Sequence, residues 1–396
     1  MFLKKTVEDV ELEGKKVLVR VDFNLPLDPD TGLPTSDSRI KATLPTLEYL
    51  ILRGAKLILC SHLGRPGGQV VESLRMSKVV PPLSQLLRRK IVLASDCVGE
   101  EVRQKAKVMS EGDILLLENL RFHPEEERND AEFARELARP ADVFVNDAFG
   151  VSHRSHASVV GVAALLPAVA GFLVQKEVSF ITGALENPSH PLALLLGGAK
   201  VKDKIGVLEN ALDKVDLLLL GGGMAQTFLH FQGYKVGGSE VEKDKADFVA
   251  SIMKKAQRKG IKLLLPQDVV VTRDIRNPDS TKVTEISSMP SDFTIADIGP
   301  ATVNEFSEEL RKCHTIAWNG PMGVYETPQF ASGTHALAHL LSQISATTII
   351  GGGSTAEVVE ELGLSDKMTW VSTGGGASLM LLEGKKLPGV EVLLDK

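Results

Sequence analysis

The sequence predicts a doubly wound α/β fold in two lobes with mainly parallel sheets, and three observations predict it. Short β-rich runs recur at 17–23, 56–61, 114–117, 143–146, 193–196, 217–220, 262–265, 315–318, 347–350 and 369–372. They are apolar on both faces, as central strands of a covered parallel sheet are. Helical patterns fall between them, for example at 100–109, 130–137, 243–258 and 302–312, and strand alternating with helix is the mark of α/β winding. The third observation is length: 396 residues make two or three domains at roughly 150 residues each.

Taken in order, the runs differ in the residues just past their ends. In the first half, 17–23 leads into Asn24, 56–61 into His62-Leu63-Gly64-Arg65-Pro66, 114–117 into Glu118-Asn119-Leu120-Arg121, and 143–146 into Asp147-Ala148-Phe149-Gly150. In the second half the ends open onto Gly197-Gly198, Gly221-Gly222-Gly223, Gly351-Gly352-Gly353 and Gly374-Gly375-Gly376. Ligands of open α/β sheets bind beyond the carboxyl ends of strands. One lobe therefore offers polar and basic strand ends, the other glycine-rich ones. The boundary falls near 170–190, where a helical connector over 172–185 ends at Asn187-Pro188.

Composition narrows the function. Lys and Arg number 45 against 51 Asp and Glu, a net charge of −6, so the chain is not built as a general nucleic-acid binder. Cys60, Cys97 and Cys313 are odd in number and form no CxxC pair, which argues for buried thiols over a disulfide framework or zinc ribbon. The N-terminal segment is charged throughout, unlike a secretory signal. The most apolar stretch, 159–174, contains Pro167 and two glycines and is shorter than the ~20 residues of a membrane span. A soluble cytoplasmic protein is expected, without a membrane or nucleic-acid partner.

A glycine-ended strand leading into a helix exposes N–H groups at a partly positive helix terminus, which suits phosphate. Four such ends in one half point to a polyphosphate or nucleotide. The sequence has no GxxxxGK[ST] and no GxGxxG after the first strand, so this is neither an ordinary P-loop nor a dinucleotide motif. If a helix begins near Lys200, then Lys200 and Lys204 share a face at i,i+4, where two like charges call for an anion. In the first half Arg39, His62, Arg65, Arg121, His123, His153, Arg154 and His156 include several residues just past strand ends. Converging arginines bind phosphate or carboxylate through bidentate forks, and Asp22 and Asn24 could orient hydroxyls on the same ligand. Three features look bland. His335 and His339 lack the glutamate of a zinc helix, Glu125-Glu126-Glu127 reads as a solvated helix entry, and Ser155 and Ser158 lack an oriented third partner.

Lys16-Val17-Leu18-Val19-Arg20-Val21-Asp22-Phe23-Asn24-Leu25-Pro26 resembles the signature of the phosphoglycerate kinase family. The resemblance continues through Ser61–Pro66, Glu118–Phe122, Asn146–Gly150, His153–Ser158, Leu196–Lys204, Gly221–Ala225, Asp297–Pro300, Trp318–Gly323 and Ser372–Ala377. It implies two Rossmann-like three-layer domains facing a cleft: 1–171 for phosphoglycerate, an interdomain helix and hinge at 172–187, 188–376 for nucleotide, and a tail at 377–396 returning to the first domain. It also implies the reaction 1,3-bisphosphoglycerate + ADP ⇌ 3-phosphoglycerate + ATP, with Mg2+ accompanying the nucleotide, in a monomer. Carried over residue by residue, Asp22, Asn24, Arg39, His62, Arg65, Arg121 and Arg154 hold the phosphoglycerate. Gly198, Lys200, Lys204, Gly222, Asn319, Glu326, Gly352, Gly353, Ser354 and Thr355 serve the nucleotide. Of these, Glu326 meets the ribose hydroxyls, Lys204 the nucleotide phosphates and Lys200 the phosphoryl group in flight, and Arg39, Lys200, Gly352 and Gly375 act in catalysis.

The chain departs from the family at the third glycine cluster. The family reads Gly-Gly-Gly-Asp, with the aspartate on the metal, and this chain has Ser354, a poorer uncharged ligand for Mg2+. Trp370 and Met380 stand where relatives carry His and Glu. Two other readings stay open: an acyl-phosphate kinase acting on a different carboxylate, and a two-lobe binder of an anionic metabolite.

Overall fold

The computed structural model, which describes residues 2–396, forms a strand at every one of the ten apolar runs. The first sheet comprises β1 (Lys16–Arg20), β2 (Lys56–Cys60), β3 (Ile91–Leu93), β4 (Ile114–Leu116), β5 (Val143–Asn146) and β6 (Ala168–Ala170), in the order β3-β4-β2-β1-β5-β6. Every pairing is parallel. The second six-stranded sheet is parallel too. It comprises β7 (Leu192–Leu196), β8 (Leu217–Leu220), β9 (Lys262–Leu264) and, beyond a small inserted sheet, β13 (Thr315–Asn319), β14 (Thr347–Gly351) and β15 (Trp370–Val371), in the order β15-β14-β13-β7-β8-β9.

The central strands have both faces covered. β5, β7, β8 and β13 are buried at every position, which is why their sequences read as unbroken apolar runs instead of alternating ones. Two cores result. One gathers Val17, Val19, Leu57, Leu59, Leu116 and Val145 with Ile40 and Leu47 of the helix Ser38–Leu52. The other gathers Leu195, Leu219, Ile316, Trp318 and Ile350 with Phe306 and Leu337. The chain divides into two compact units, Met1–Ser179 with Lys386–Lys396, and Phe180–Lys385.

An antiparallel sheet inserted in the second unit goes beyond the expected strands. It comprises β10 (Asp268–Thr272), β11 (Lys282–Glu285) and β12 (Thr294–Ile298), ordered β11-β10-β12, over its own small core of Val269, Val271, Phe293 and Ile295. β11 is largely exposed, so no apolar run announces it. β3 and β6 are silent in the sequence as well, because three residues are too few to show a period. Among the described residues, no helix is long and apolar enough to cross a membrane. The stretch 159–174 instead contributes short helical turns, the buried strand β6 and the start of the helix Phe172–Glu186. Cys60, Cys97 and Cys313 are free and buried, with burial pushing the Cys60 thiol up to about 12 and that of Cys313 to about 11, so they pack as small apolar side chains.

Candidate functional site

In the first unit the loops after β1, β2, β4 and β5 bring charge to one end of the sheet. Asp22, just past β1, is buried and pairs with Arg39 at the start of the helix Ser38–Leu52. Its Oδ1 accepts from Asn24 N at 3.2 Å, while Asn24 Oδ1 accepts from Gly64 N at 2.7 Å. Asn24 thus ties the β1 loop to the β2 loop that carries His62 and Arg65. Arg121 is 5% exposed, donates from Nη1 to Gly64 O at 2.9 Å, and lies 3.2 Å from Glu127 through Nε. Burial, and after it the neighbouring Arg154, hold its guanidinium below the usual range. Arg65, Arg121 and Arg154 line one cavity of about 540 Å3 with His123 and Arg128.

His62 is buried beside the same group. Burial first, then Arg20, Arg121, Arg39 and Arg154, keep its pKa well below the ordinary value, so it is neutral at pH 7. The expected members converge: Arg39 pairs with Asp22, Asn24 reaches Gly64, Arg121 holds the same loop, and His62 lies within the field of all these arginines except the exposed Arg65. A cluster of positive charge this close, with Arg121 buried and Arg39 and Arg154 half-buried, is relieved when an anion joins it. It is a cradle for a multiply charged anion.

One expectation needs correction. Glu126 is not part of a solvated helix entry: it is fully buried on the turn Pro124–Glu127. Its Oε1 accepts from Ser158 Oγ at 2.6 Å and its Oε2 from Ser158 N at 2.9 Å. Ser158 Oγ in turn accepts from Arg20 Nε at 2.9 Å. Ser158 is therefore a buried link between two opposite charges, with no role as a nucleophile. One signal in the sequence does mark Arg20, as a charged residue inside an otherwise apolar strand run. None marks Glu126 among three equivalent glutamates. Asp96, Cys97 and His123 also stand together, and they satisfy one another: His123 Nε2 is 2.7 Å from Asp96 Oδ1, which accepts from Cys97 N at 2.6 Å.

In the second unit, helices begin at the glycine ends. Gly221 precedes the helix Gly222–Phe231, Gly352 precedes Gly353–Glu361, and Gly374 precedes Gly375–Leu382, none with a side-chain cap. In the helices Gly353–Glu361 and Gly375–Leu382 the first-turn N–H groups are left for a ligand, whereas in Gly222–Phe231 Gly222 N donates to Met322 O at 2.8 Å and Met224 N to Gly198 O at 3.2 Å. Two of these glycines are required by geometry. Gly222 and Gly352 have φ of +61° and +90°, a region hostile to side chains, and a Cβ on Gly222 would strike Gly198 N and O at 2.8 Å. The first cluster differs from expectation. Lys200 is extended and half-buried ahead of a short 3-10 turn, Val201–Lys204, and the α-helix starts only at Ile205. The shared helical face of Lys200 and Lys204 does not form, because the chain stays extended through Lys200.

Lys204 instead donates to Asn319 Oδ1 at the end of β13. Burial pulls its ammonium down to about 8, against the attraction of Asp203 and Glu383. Asn319 is 1% exposed, and its Nδ2 has no hydrogen-bond partner among the described residues. A Cβ on Gly352 would lie 3.3 Å from that nitrogen, so a lysine, an orphaned amide and an open helix terminus meet at one place. Thr355 Oγ1 accepts from Gly320 N at 2.7 Å and fixes the neighbouring loop. A Cβ on Gly375 would strike Gly353 N at 2.6 Å, so a second helix terminus lies alongside.

A cavity of about 450 Å3 opens next to this, lined by Gly198, Gly222, Glu326 and Ser354. Gln226, Val324 and Tyr325 line it as well with nothing in the sequence to single them out, and so do Asp297 and Met322, which lie in the blocks Asp297–Pro300 and Trp318–Gly323 but carry no role by resemblance. Burial raises the Asp297 carboxyl to about 7, against donation from Gly333 N and Ile298 N. Ser354 hydrogen-bonds Tyr325, whose hydroxyl also donates to Glu357 at 3.1 Å. The uncharged Ser354 hydroxyl and the Asp297 carboxyl beside this cavity are oxygen donors of the kind that Mg2+ accepts.

One α/β unit with a side-chain anion cradle, and a second with main-chain N–H groups beside a half-buried lysine, define an enzyme that moves a phosphoryl group between two anions. Comparison with known proteins agrees. The phosphoglycerate kinase family model matches residues 7–385. The phosphoglycerate kinase of Pelotomaculum thermopropionicum is 51% identical over 393 residues, covering 99% of this chain and 100% of that one. That of Thermosynechococcus vestitus is 51% identical over 399 residues, covering 99% of each. Two solved phosphoglycerate kinases cover 98% of both chains: the Coxiella burnetii structure with a TM-score of 0.87 at 39% identity, and the Pyrococcus horikoshii structure with 0.86 at 33%. The chain belongs to the phosphoglycerate kinase family. It is a phosphotransferase with a carboxyl acceptor, catalysing reversible transfer between 1,3-bisphosphoglycerate and ADP.

Proposed function

We propose that the two cradles divide the substrates between them. Asp22, Asn24, Arg39, His62, Arg65, Arg121 and Arg154 bind 3-phosphoglycerate on the first unit. Gly198, Lys200, Lys204, Gly222, Asn319, Glu326, Gly352, Gly353, Ser354 and Thr355 bind the nucleotide on the second. The observation that carries this is the meeting of Lys204, the unpartnered Asn319 amide and the Gly352–Gly353 helix terminus. Apart from the Asn319 Oδ1 that Lys204 already occupies, the site offers donors, and a phosphate chain supplies the acceptors. On this reading Glu326, which lines the adjoining cavity, takes the ribose hydroxyls.

In the ATP-consuming direction the acceptor is a carboxylate, already ionised at pH 7, so no general base is needed. The reaction asks for in-line placement and for positive charge around the moving group. Lys200 and Arg39 supply that charge, with the N–H groups at Gly352 and Gly375 receiving the equatorial oxygens. Mg2+, when bound, neutralises charge on the nucleotide phosphates. Both ligands must meet with water excluded before transfer. The protein works as a cytoplasmic monomer.

A coupled assay of ATP-dependent 3-phosphoglycerate phosphorylation tests the assignment through Lys200→Ala. Loss of a group acting on the moving phosphoryl lowers kcat by about 100-fold or more and leaves ADP affinity within about twofold. Equal loss in kcat and in nucleotide affinity refutes the role.

A further inference from the structure

We infer that Arg20 is a positioning residue that locks His62 in its Nε2–H tautomer, making His62 a hydrogen-bond donor to the phosphoglycerate. This rests on the proposal that the arginine cradle holds that substrate. Arg20 is 1% exposed at the last position of β1. Its Nη2 lies 3.2 Å from His62 Nδ1. A guanidinium has N–H donors and no acceptor, so Nδ1 must accept, and a neutral ring that accepts at Nδ1 carries its proton on Nε2. His62 is neutral because burial and the arginines on four separate elements (Arg20, Arg39, Arg121 and Arg154) disfavour a further positive charge.

Arg20 is itself held by two further contacts, one of which is relayed to a carboxylate. Nη1 donates to Val21 O, Nε donates to Ser158 Oγ at 2.9 Å, and Ser158 Oγ donates its own proton to Glu126 Oε1 at 2.6 Å. Glu126 is the buried counter-charge, and Arg20 helps hold its carboxyl below the usual range. Donors thus run from Arg20 in two directions, through Ser158 to Glu126 and to the imidazole Nδ1, which leaves Nε2–H as the ring's remaining donor. The consequence is chemical. His62 in this state gives a proton-bearing nitrogen to an anion at every pH where it is neutral, and it cannot serve as a base toward the substrate through Nε2.

The test is nitrogen-15 NMR of the protein labelled in histidine, at pH 7, in the wild type and in Arg20→Gln, whose amide can either donate or accept. The expected wild-type spectrum shows His62 with a bare Nδ1 and a protonated Nε2, and its Nε2–H signal shifts on addition of 3-phosphoglycerate. Arg20→Gln should mix the tautomers and raise KM for 3-phosphoglycerate about tenfold, with KM for the nucleotide within about twofold. A protonated Nδ1 in the wild type, or an unaltered tautomer in the variant, overturns the role of Arg20. A His62 signal indifferent to 3-phosphoglycerate overturns its donor role and the substrate assignment, while leaving the tautomer itself measured. If Arg20→Gln does not fold, the wild-type spectrum decides alone, with Ser158→Ala loosening Arg20 from its Nε side.

Discussion

Lys204 is a cation whose proton is loosened by burial. With its ammonium near 8 in the free protein, about half the molecules carry the proton at pH 8. A nucleotide phosphate placed beside it favours the charged form, so this lysine takes up roughly 0.5 proton on binding at pH 8, and its share falls away at lower pH, where it is already charged. Calorimetry of ADP binding in buffers of different ionisation enthalpy reads this directly, since ADP itself is fully ionised at pH 8. Lys204→Arg should abolish the uptake, and an unchanged uptake would move its source elsewhere. Ser354 poses the converse case, a neutral oxygen where the family has a carboxylate. It sits in the first turn of Gly353–Glu361, where the helix terminus favours negative charge. Ser354→Asp should therefore be well tolerated and should lower the Mg2+ concentration for half-maximal activity by roughly tenfold, about 1.4 kcal/mol. Direct Mn2+ binding in the presence of ADP checks it without turnover, and an unchanged affinity removes any role for this position at the metal.

At the scale of elements, the helix Phe172–Glu186 is started by groups from two neighbours. Phe172 N donates to Thr46 Oγ1 at 2.9 Å, and Leu173 N to Asp147 Oδ1 at 2.9 Å. Asp147 is fully buried, its Oδ2 has no hydrogen-bond partner among the described residues, and burial raises its carboxyl to about 7. Between its ordinary 3.8 and about 7 the folded state holds one more proton than the unfolded state. Stability therefore falls as pH rises through that window, by on the order of 4 kcal/mol for this group. Asp147→Asn keeps the helix-capping oxygen and removes the charge. Its melting temperature should vary less between pH 5 and 7.5 and should match or exceed the wild type at pH 8, with Asp297 leaving a residual slope. Equal destabilisation at every pH would show that the charge is not the cause. The same local logic explains what can be read from the sequence. Buried parallel strands advertise themselves because both faces are apolar, and glycine ends because backbone geometry demands them at Gly222 and Gly352. β11 does not, since it faces solvent, and neither does Glu126, whose burial is decided by Ser158 and Arg20 from distant parts of the chain. The cradles are legible as residue types past strand ends. The extended chain at Lys200 and the Lys204–Asn319 contact are not, because they depend on how β7 and β13 lie side by side.

At the scale of the whole chain, the last eleven residues belong with the first unit, though the rest of the second half does not. Gly389 N donates to Ser152 O at 2.8 Å and Gly389 O accepts from Asn146 Nδ2 at 2.8 Å. Lys5 N donates to Leu394 O at 2.7 Å, and Leu394 N to Ala168 O at 2.9 Å beside the edge strand β6. Leu387, Val390 and Leu393 are buried. Full burial of each is worth about 1.5–3 kcal/mol, and losing the Gly389 acceptor leaves the buried Asn146 Nδ2 with Ser152 Oγ alone at 3.1 Å, a loss of about 1 kcal/mol more. Even discounted for a compact unfolded state, the sum rivals the roughly 5–15 kcal/mol that holds a typical domain together. A chain ending at Lys385 should therefore lose the first unit's order while the second unit, whose core takes no side chain from the tail, keeps its own. Hydrogen exchange should show fast amides in β1, β5 and β6 with protection retained in β7, β8 and β13. Titrations should show 3-phosphoglycerate binding abolished and ADP affinity within about twofold. Parallel loss of ADP binding would mean that the nucleotide cradle depends on the tail as well, and that the two units do not stand as separate thermodynamic bodies.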